Sequence, residues 1–214
     1  MNKPVIILGA GGHASVLAEI LRQQQHDILA MVAPSSSGHG SLAGIPLWQD
    51  EGKILDIPPD QCVLVNGIGS LPDKDLRTQI FNRFKSLGYC FATVISPYAI
   101  ISPHAKLSEG VQVMAGTILQ PGVKVAANSI INTGTIIEHD TIVGMNCHLA
   151  PRSTLCGGVT LGDAVHIGAG AVIIQGIQIG HNSVIGSGAS VNRHVLDDHI
   201  VYPARPHICL RQTK

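Results

Sequence analysis

Aromatic side chains are nearly missing from this chain: three Phe, three Tyr and one Trp make up 3% of its 214 residues, although 45% are hydrophobic. The core must therefore be aliphatic, which suits a narrow interior. Charge is also sparse, at 13%, and fourteen basic residues offset fourteen acidic ones. With no basic face implied, nucleic acid is not expected as a partner. No apolar run approaches the ~20 residues of a membrane span, so no membrane insertion is expected. The opening Met1-Asn2-Lys3-Pro4-Val5-Ile6-Ile7-Leu8 is too short for a signal peptide and leads into a glycine turn. The five cysteines, at positions 62, 90, 147, 156 and 209, are odd in number and form no CxxC pair. That usage fits a reduced, cytoplasmic protein, and no ligand spacing marks a metal site.

What the chain does have is a period of six. An Ile, Leu or Val falls on every sixth position from Ile95 to Val191, seventeen in succession. Four places after each stands a small or β-branched residue, among them Thr117, Ser129, Thr135, Cys147 and Ala171. Hexapeptide repeats build a parallel β-helix, and two inward positions per repeat suit a triangular coil. A β-sandwich would not hold this phase for seventeen steps without a loop breaking it. Three repeats close one coil, giving nearly six coils. Glycines 144, 162, 168, 180 and 186 recur near the corners, where positive φ or close backbone approach is expected. No long loop interrupts the repeats, so the rod cannot enclose an acceptor alone. Its broad faces favour self-association.

The first 90 residues read differently. Residues 4–8 form a buried strand, and Gly9-Ala10-Gly11-Gly12-His13 turns into a helix with Val16, Leu17, Ile20 and Leu21 on one face. Strands follow at 28–32 and 62–68, then a helix over 73–87 with Leu76, Ile80, Phe84 and Leu87 inward, and a last strand over 91–95. Alternating strand and helix predict a small Rossmann-like α/β domain with a parallel sheet. The expected organisation is residues 1–90 as that domain, 91–196 as the β-helix, and 197–214 as a tail.

Chemistry is concentrated in Asn132-Thr133-Gly134-Thr135-Ile136-Ile137-Glu138-His139-Asp140. His139 stands two places after the inward Ile137 and so points outward. A histidine beside a carboxylate has the form of a general base with its orienter. His148 lies half a coil further on. Cys147 falls on an inward position and reads as core. The Gly9–His13 turn has the form of a phosphate-cradling loop at a helix start, with Ala14 where GxGxxG has its third glycine.

Taken together, these segments resemble the NeuD/PglD family of bacterial sugar O- and N-acyltransferases. The resemblance rests on Ile7-Leu8-Gly9-Ala10-Gly11-Gly12-His13, Asn66-Gly67-Ile68-Gly69 with Arg77, and Asn132 to Asp140 with His148 downstream. It implies a left-handed β-helix, a homotrimer with active sites between subunits, and acetyl-CoA as co-substrate with no metal. The activity implied is N-acetylation of a nucleotide-linked 4-amino-4,6-dideoxy sugar in glycan biosynthesis. O-acetylation of sialic acid is the alternative, and a non-catalytic sugar-nucleotide scaffold a second. His139 would be the base, oriented by Asp140 and Asn132. Acetyl-CoA would meet His148, Gly157, Gly168, Gly186, Gly188 and Arg205. The sugar nucleotide would meet Gly9, Gly11, Gly12, His13, Asn66 and Gly69. One departure stands out: members of the family end the second strand with one or two aspartates, whereas this chain has Val32-Ala33-Pro34-Ser35. Either the base or ribose recognised differs, or Ser35 to Ser37 make the contact.

Overall fold

A computed structural model describes residues 3–35 and 40–204. Ser36, Ser37, Arg205 and the rest of the tail lie outside the described residues. The N-terminal part holds β1 (Val5–Leu8), α1 (Gly12–Gln23), β2 (Ile28–Val32), β3 (Leu47–Trp48), α2 (Gly52–Leu55), β4 (Val63–Asn66) and α3 (Leu76–Ser86). Its four strands are parallel in the order β3-β2-β1-β4. β1 is apolar and buried throughout because both faces of the sheet are covered. One cluster joins α1 to Met31 and Val65, the other joins Ile6 and Leu64 to Phe81 and Phe84. The short β3 and α2 were not visible in the hydrophobic periodicity.

Two helix faces differ from expectation. In α3 the buried residues are Arg77, Phe81 and Phe84, while Leu76 and Leu87 are exposed. In α1, Val16 is exposed while Leu17, Ile20 and Leu21 are buried. The expected strand over 91–95 is divided: Phe91 bridges Leu64 of the α/β sheet, whereas Val94–Ile95 pairs with the rod. No helix among the described residues is long and apolar enough to cross a membrane.

From Val94 onward the chain winds into a left-handed parallel β-helix of two-residue strands, each paired with the strand eighteen residues on, as in Ile100↔Ile118 and Ile130↔His148. Three sheets of seven, six and five strands form the faces of a triangular rod. The seven-stranded face carries Val94, Gln112, Ile130, His148 and His166 outward, and the α/β domain docks on its first coils through Val94, Met114 and Ile130. We call it the docking face. The six-stranded face carries Ile100, Ile136 and Val172, and the five-stranded face Lys106, Ile142 and Gln178. Inside, the aliphatic anchors form one continuous cluster from Val111 to Val191.

The corners separate two demands that the sequence reading merged. Left-handed backbone recurs three places after the anchor, at Gly110, Gly116, Gly122, Asn128, Gly134 and Asp140 and onward to Gly188. The glycines one place after the anchor have ordinary φ. They are small because the next coil lies against them: an added Cβ at Gly168 would fall 2.4 Å from the Ser187 nitrogen. The last coil is two residues short, so Ile179 faces Val195 and Val184 faces Ile200.

Candidate active site

His139 and Asp140 occupy the edge where the six-stranded face turns into the five-stranded face. Asp140 takes the left-handed corner position at φ 58°, which asparagine and aspartate tolerate better than other non-glycine residues. Its carboxylate accepts a hydrogen bond from His139 Nδ1 at 3.0 Å. Donation from Nδ1 leaves Nε2 with a free lone pair. That atom lies over Gly157 of the next coil, where an added Cβ would come within 2.5 Å of it. The His139 side chain is 56% exposed. Beyond it, Gly158 and Gly176 have no neighbour where a side chain would project, so the edge beside Nε2 is a strip of bare backbone.

A second cluster lies on the docking face, at the joint with the α/β domain. His13 Nε2 donates to Gln112 Oε1 at 2.7 Å, and Gln112 donates onward to the Asn66 carbonyl. Asn66 donates to the Arg77 carbonyl and to Asn128 Oδ1, while Arg77 donates to the carbonyls of Asn66, Ile68 and Asn128. Burial lowers the pKa of Arg77 to about 9. Burial first, and then the field of Arg77, holds His13 down at about 4, against an opposing pull from Gln112. His148 Nδ1 donates to the Ser70 carbonyl at 3.1 Å, and Asn132 donates to His148 Nε2 at 3.3 Å. Burial, followed by His166 and His13, pushes His148 to about 3. His13 and His148 are therefore neutral at physiological pH. With Gly12, Gly69, Ser70 and Asn132 they line a cavity of about 290 Å³.

A third recess, of about 460 Å³, opens at the carboxyl ends of the α/β strands, between Gly9, Val32–Pro34, Ile68 and α3. This is where open parallel sheets bind ligands.

These contacts sort the sequence-predicted residues. Asp140 meets His139 as expected. Asn132 does not: it lies on the docking face, bonded to His148. Asn66 is 1% exposed with its amide committed between Arg77 and Asn128, so it fastens the domains and does not line the cavity. Gly12, His13 and Gly69 line the docking-face cavity, Gly9 lines the upper recess, and Gly11 caps α1. Gly157 adjoins His139, whereas Gly168, Gly186 and Gly188 belong to another edge. There Gly168 and Gly186 are explained by close backbone packing and Gly188 by its φ of 72°. Cys147 is buried, and burial raises its thiol to about 12. It is core and not a nucleophile. Among the described residues no group of three His, Cys, Asp or Glu could hold a metal ion. Gln112 and the joint role of Arg77 escaped the sequence reading. A polar outward residue on an otherwise apolar stretch of the docking face was the available signal.

The rod's cross-section adds a constraint. In a triangular coil the edge bearing His139 is opposite the docking face bearing His148, His13 and the α/β domain. Within one protomer the two clusters point away from each other.

Comparison with known proteins follows the same division. Residues 4–84 match the PglD N-terminal domain family, residues 158–193 the bacterial transferase hexapeptide (six repeats), and residues 134–175 the hexapeptide repeat of succinyl-transferase. Among curated protein sequences, none matches the chain significantly. Among solved structures, perosamine N-acetyltransferase from Caulobacter crescentus, in complex with CoA and GDP-perosamine, is 32% identical, with 92% of each chain covered and a TM-score of 0.84. The acetyltransferase domain of PglB from Neisseria gonorrhoeae, in complex with acetyl coenzyme A, is 26% identical over 97% of this chain and 100% of that one, with a TM-score of 0.85. WeeI from Acinetobacter baumannii, 22% identical with coverage of 93% and 96% and a TM-score of 0.81, shares the fold.

Proposed function

The chain belongs to the NeuD/PglD family of hexapeptide-repeat sugar acetyltransferases, and we propose that it N-acetylates a nucleotide-linked 4-amino-4,6-dideoxy sugar with His139 as general base. The observation that carries this reading is the His139–Asp140 pair, exposed on a rod edge with Nε2 free above Gly157. Acetyl-CoA supplies an already activated thioester, so no acyl-enzyme is needed. Side-chain-free backbone at Gly157, Gly158 and Gly176 fits a slender chain lying beside Nε2, and backbone amides near Gly157 can stabilise the developing oxyanion. As the acceptor nitrogen bonds to the acetyl carbon and the carbon–sulfur bond breaks, His139 Nε2 takes the amine proton. Asp140 fixes the tautomer and stabilises the imidazolium, as a carboxylate does in a triad. The proton passes on to the departing thiolate.

The acceptor reaches His139 from another subunit. The α/β domain that grips the nucleotide sits opposite the His139 edge, so its sugar meets the base of a neighbouring rod. A homotrimer supplies that neighbour, and the exposed Ile100, Ile142 and Val172 are suited to its contacts. His13 and His148 then line the acceptor's path. In the tautomer that Ser70 and Asn132 set, His148 Nε2 has no proton to offer a thioester carbonyl.

Acetyl transfer assayed with UDP-, dTDP- and GDP-linked amino sugars and with sialic acid tests the acceptor; activity on sialic acid alone refutes it. His139→Ala should lower kcat by about 10²–10⁴-fold with CoA binding retained. Near-normal turnover removes His139 as the base.

A further inference from the structure

The recess at the strand ends is lined mainly by apolar side chains, with Val32, Ala33 and Pro34 on one side and Ile68, Leu76 and Ile80 on the other. Leu76 is 51% exposed. An apolar side chain standing in solvent at the mouth of an apolar slot suits a surface on which a flat ring lies. The strand ending in Val32-Ala33-Pro34 offers no side-chain acceptor to a ribose, so polar recognition falls to the far lip of the slot. Two polar side chains stand there, Gln49 and Glu51, directly after β3. Glu51 is the one ionisable residue in this lining among the described residues. Arg83 donates to Glu51 Oε2 while itself lying over the Phe84 ring at 5.4 Å, and the carboxylate keeps its remaining lone pairs for a ligand.

A carboxylate accepts hydrogen bonds and cannot donate them. Guanine presents two adjacent donors, N1–H and the exocyclic N2 amino group, and pairs with it at both oxygens. Uracil and thymine present a single N–H between two carbonyl oxygens, which a carboxylate repels. Adenine presents one donor beside a ring-nitrogen acceptor. Resting on the reading that the α/β domain grips a sugar nucleotide, we infer that Glu51 is the specificity-determining residue of this recess and selects a guanine base, so that the acceptor is a GDP-linked sugar.

Calorimetric titration of the full chain with GDP, UDP, dTDP and ADP tests this. GDP is expected to bind at least 10-fold more tightly than the others. Glu51→Gln keeps the shape but converts one acceptor to a donor. It should weaken GDP by roughly 10- to 100-fold, the usual range for one two-point base contact, and leave UDP within about twofold. Arg83→Gln removes the ion pair but keeps the carboxylate, and should preserve the order of affinities. Equal or tighter binding of UDP or dTDP overturns the inference while leaving a nucleotide-gripping domain intact. Uniform weakening of all four ligands by Glu51→Gln also overturns it. Binding of none of the four refutes the nucleotide-gripping reading itself.

Discussion

The contact between Gly157 and His139 yields a paired test of the proposed role of His139 as the base. In Gly157→Ala the added Cβ would lie 2.5 Å from Nε2 and 2.7 Å from Cε1 of His139. Ordinary contact between such atoms is about 3.5–4.0 Å, so the imidazole must move by about 1 Å. It is the free end of an exposed side chain, and Gly157 does not have a left-handed backbone, so the move is easy and the fold is preserved. Displacement by 1 Å at a reacting atom costs about 10²-fold in rate. Gly158→Ala is the counterpart. Its Cβ meets nothing within 4 Å, but its φ is 67°, so it strains the backbone by roughly 1 kcal/mol without touching the base. Steady-state acetyl transfer alongside thermal unfolding separates the two. Gly157→Ala should lose kcat and keep its Tm, whereas Gly158→Ala should lose stability and, standing on the strip proposed for acetyl-CoA, raise KM for acetyl-CoA while keeping kcat per folded molecule. Turnover of Gly157→Ala within threefold of the parent refutes the placement of Nε2 at the reacting centre.

The buried joint makes two further predictions. His13 and His148 are held neutral, at about 4 and about 3 against an ordinary 6.5, so below about pH 6.5 the unfolded chain binds protons that the folded chain refuses. The joint's stability is therefore complete above that pH and lost as pH falls. Between pH 7 and 5, before carboxylates titrate, urea unfolding should show a loss on the order of 2 kcal/mol for each histidine; a flat profile refutes the neutral assignment. Asn66→Ala should cost about 1–3 kcal/mol by stranding the acceptors on Arg77 and Asn128 with KM for the sugar nucleotide little changed. A raised KM with unchanged stability would return Asn66 to the binding surface.

The rod was legible because a two-residue inward pattern repeated on a fixed coil leaves the sequence no freedom of phase. Seventeen anchors fixed the register, the coil number and the outward direction of His139. The same logic left the reason for the corner glycines open. Spacing marks that a corner is tight without distinguishing positive φ, as at Gly158, from close approach, as at Gly168. The α/β domain was legible as a class but not in its surfaces. Leu76 satisfies a helical period and still faces solvent, while Arg77, charged and next to it, is buried because the rod and the Asn66–Ile68 turn supply carbonyls around its guanidinium. One of these partners, Asn128, lies 51 residues along the chain in the rod, which no local pattern reports.

Asn132 shows where a one-dimensional reading stops. It lies seven residues before His139 and sixteen before His148, and proximity along the chain favours the first as its partner. A coil of eighteen residues reverses that ranking. Sixteen residues bring the chain almost back to its starting face, one layer up, whereas seven carry it past a corner. The hydrogen bond from Asn132 to His148 therefore follows from the six-residue period once the chain is wound into an eighteen-residue coil. Applied to the whole site, the same geometry sets His139 and the α/β domain on opposite sides of one rod. On the proposed reaction, catalysis by this pair of elements needs a second copy of the chain, and a protomer kept monomeric should bind its nucleotide yet transfer no acetyl group.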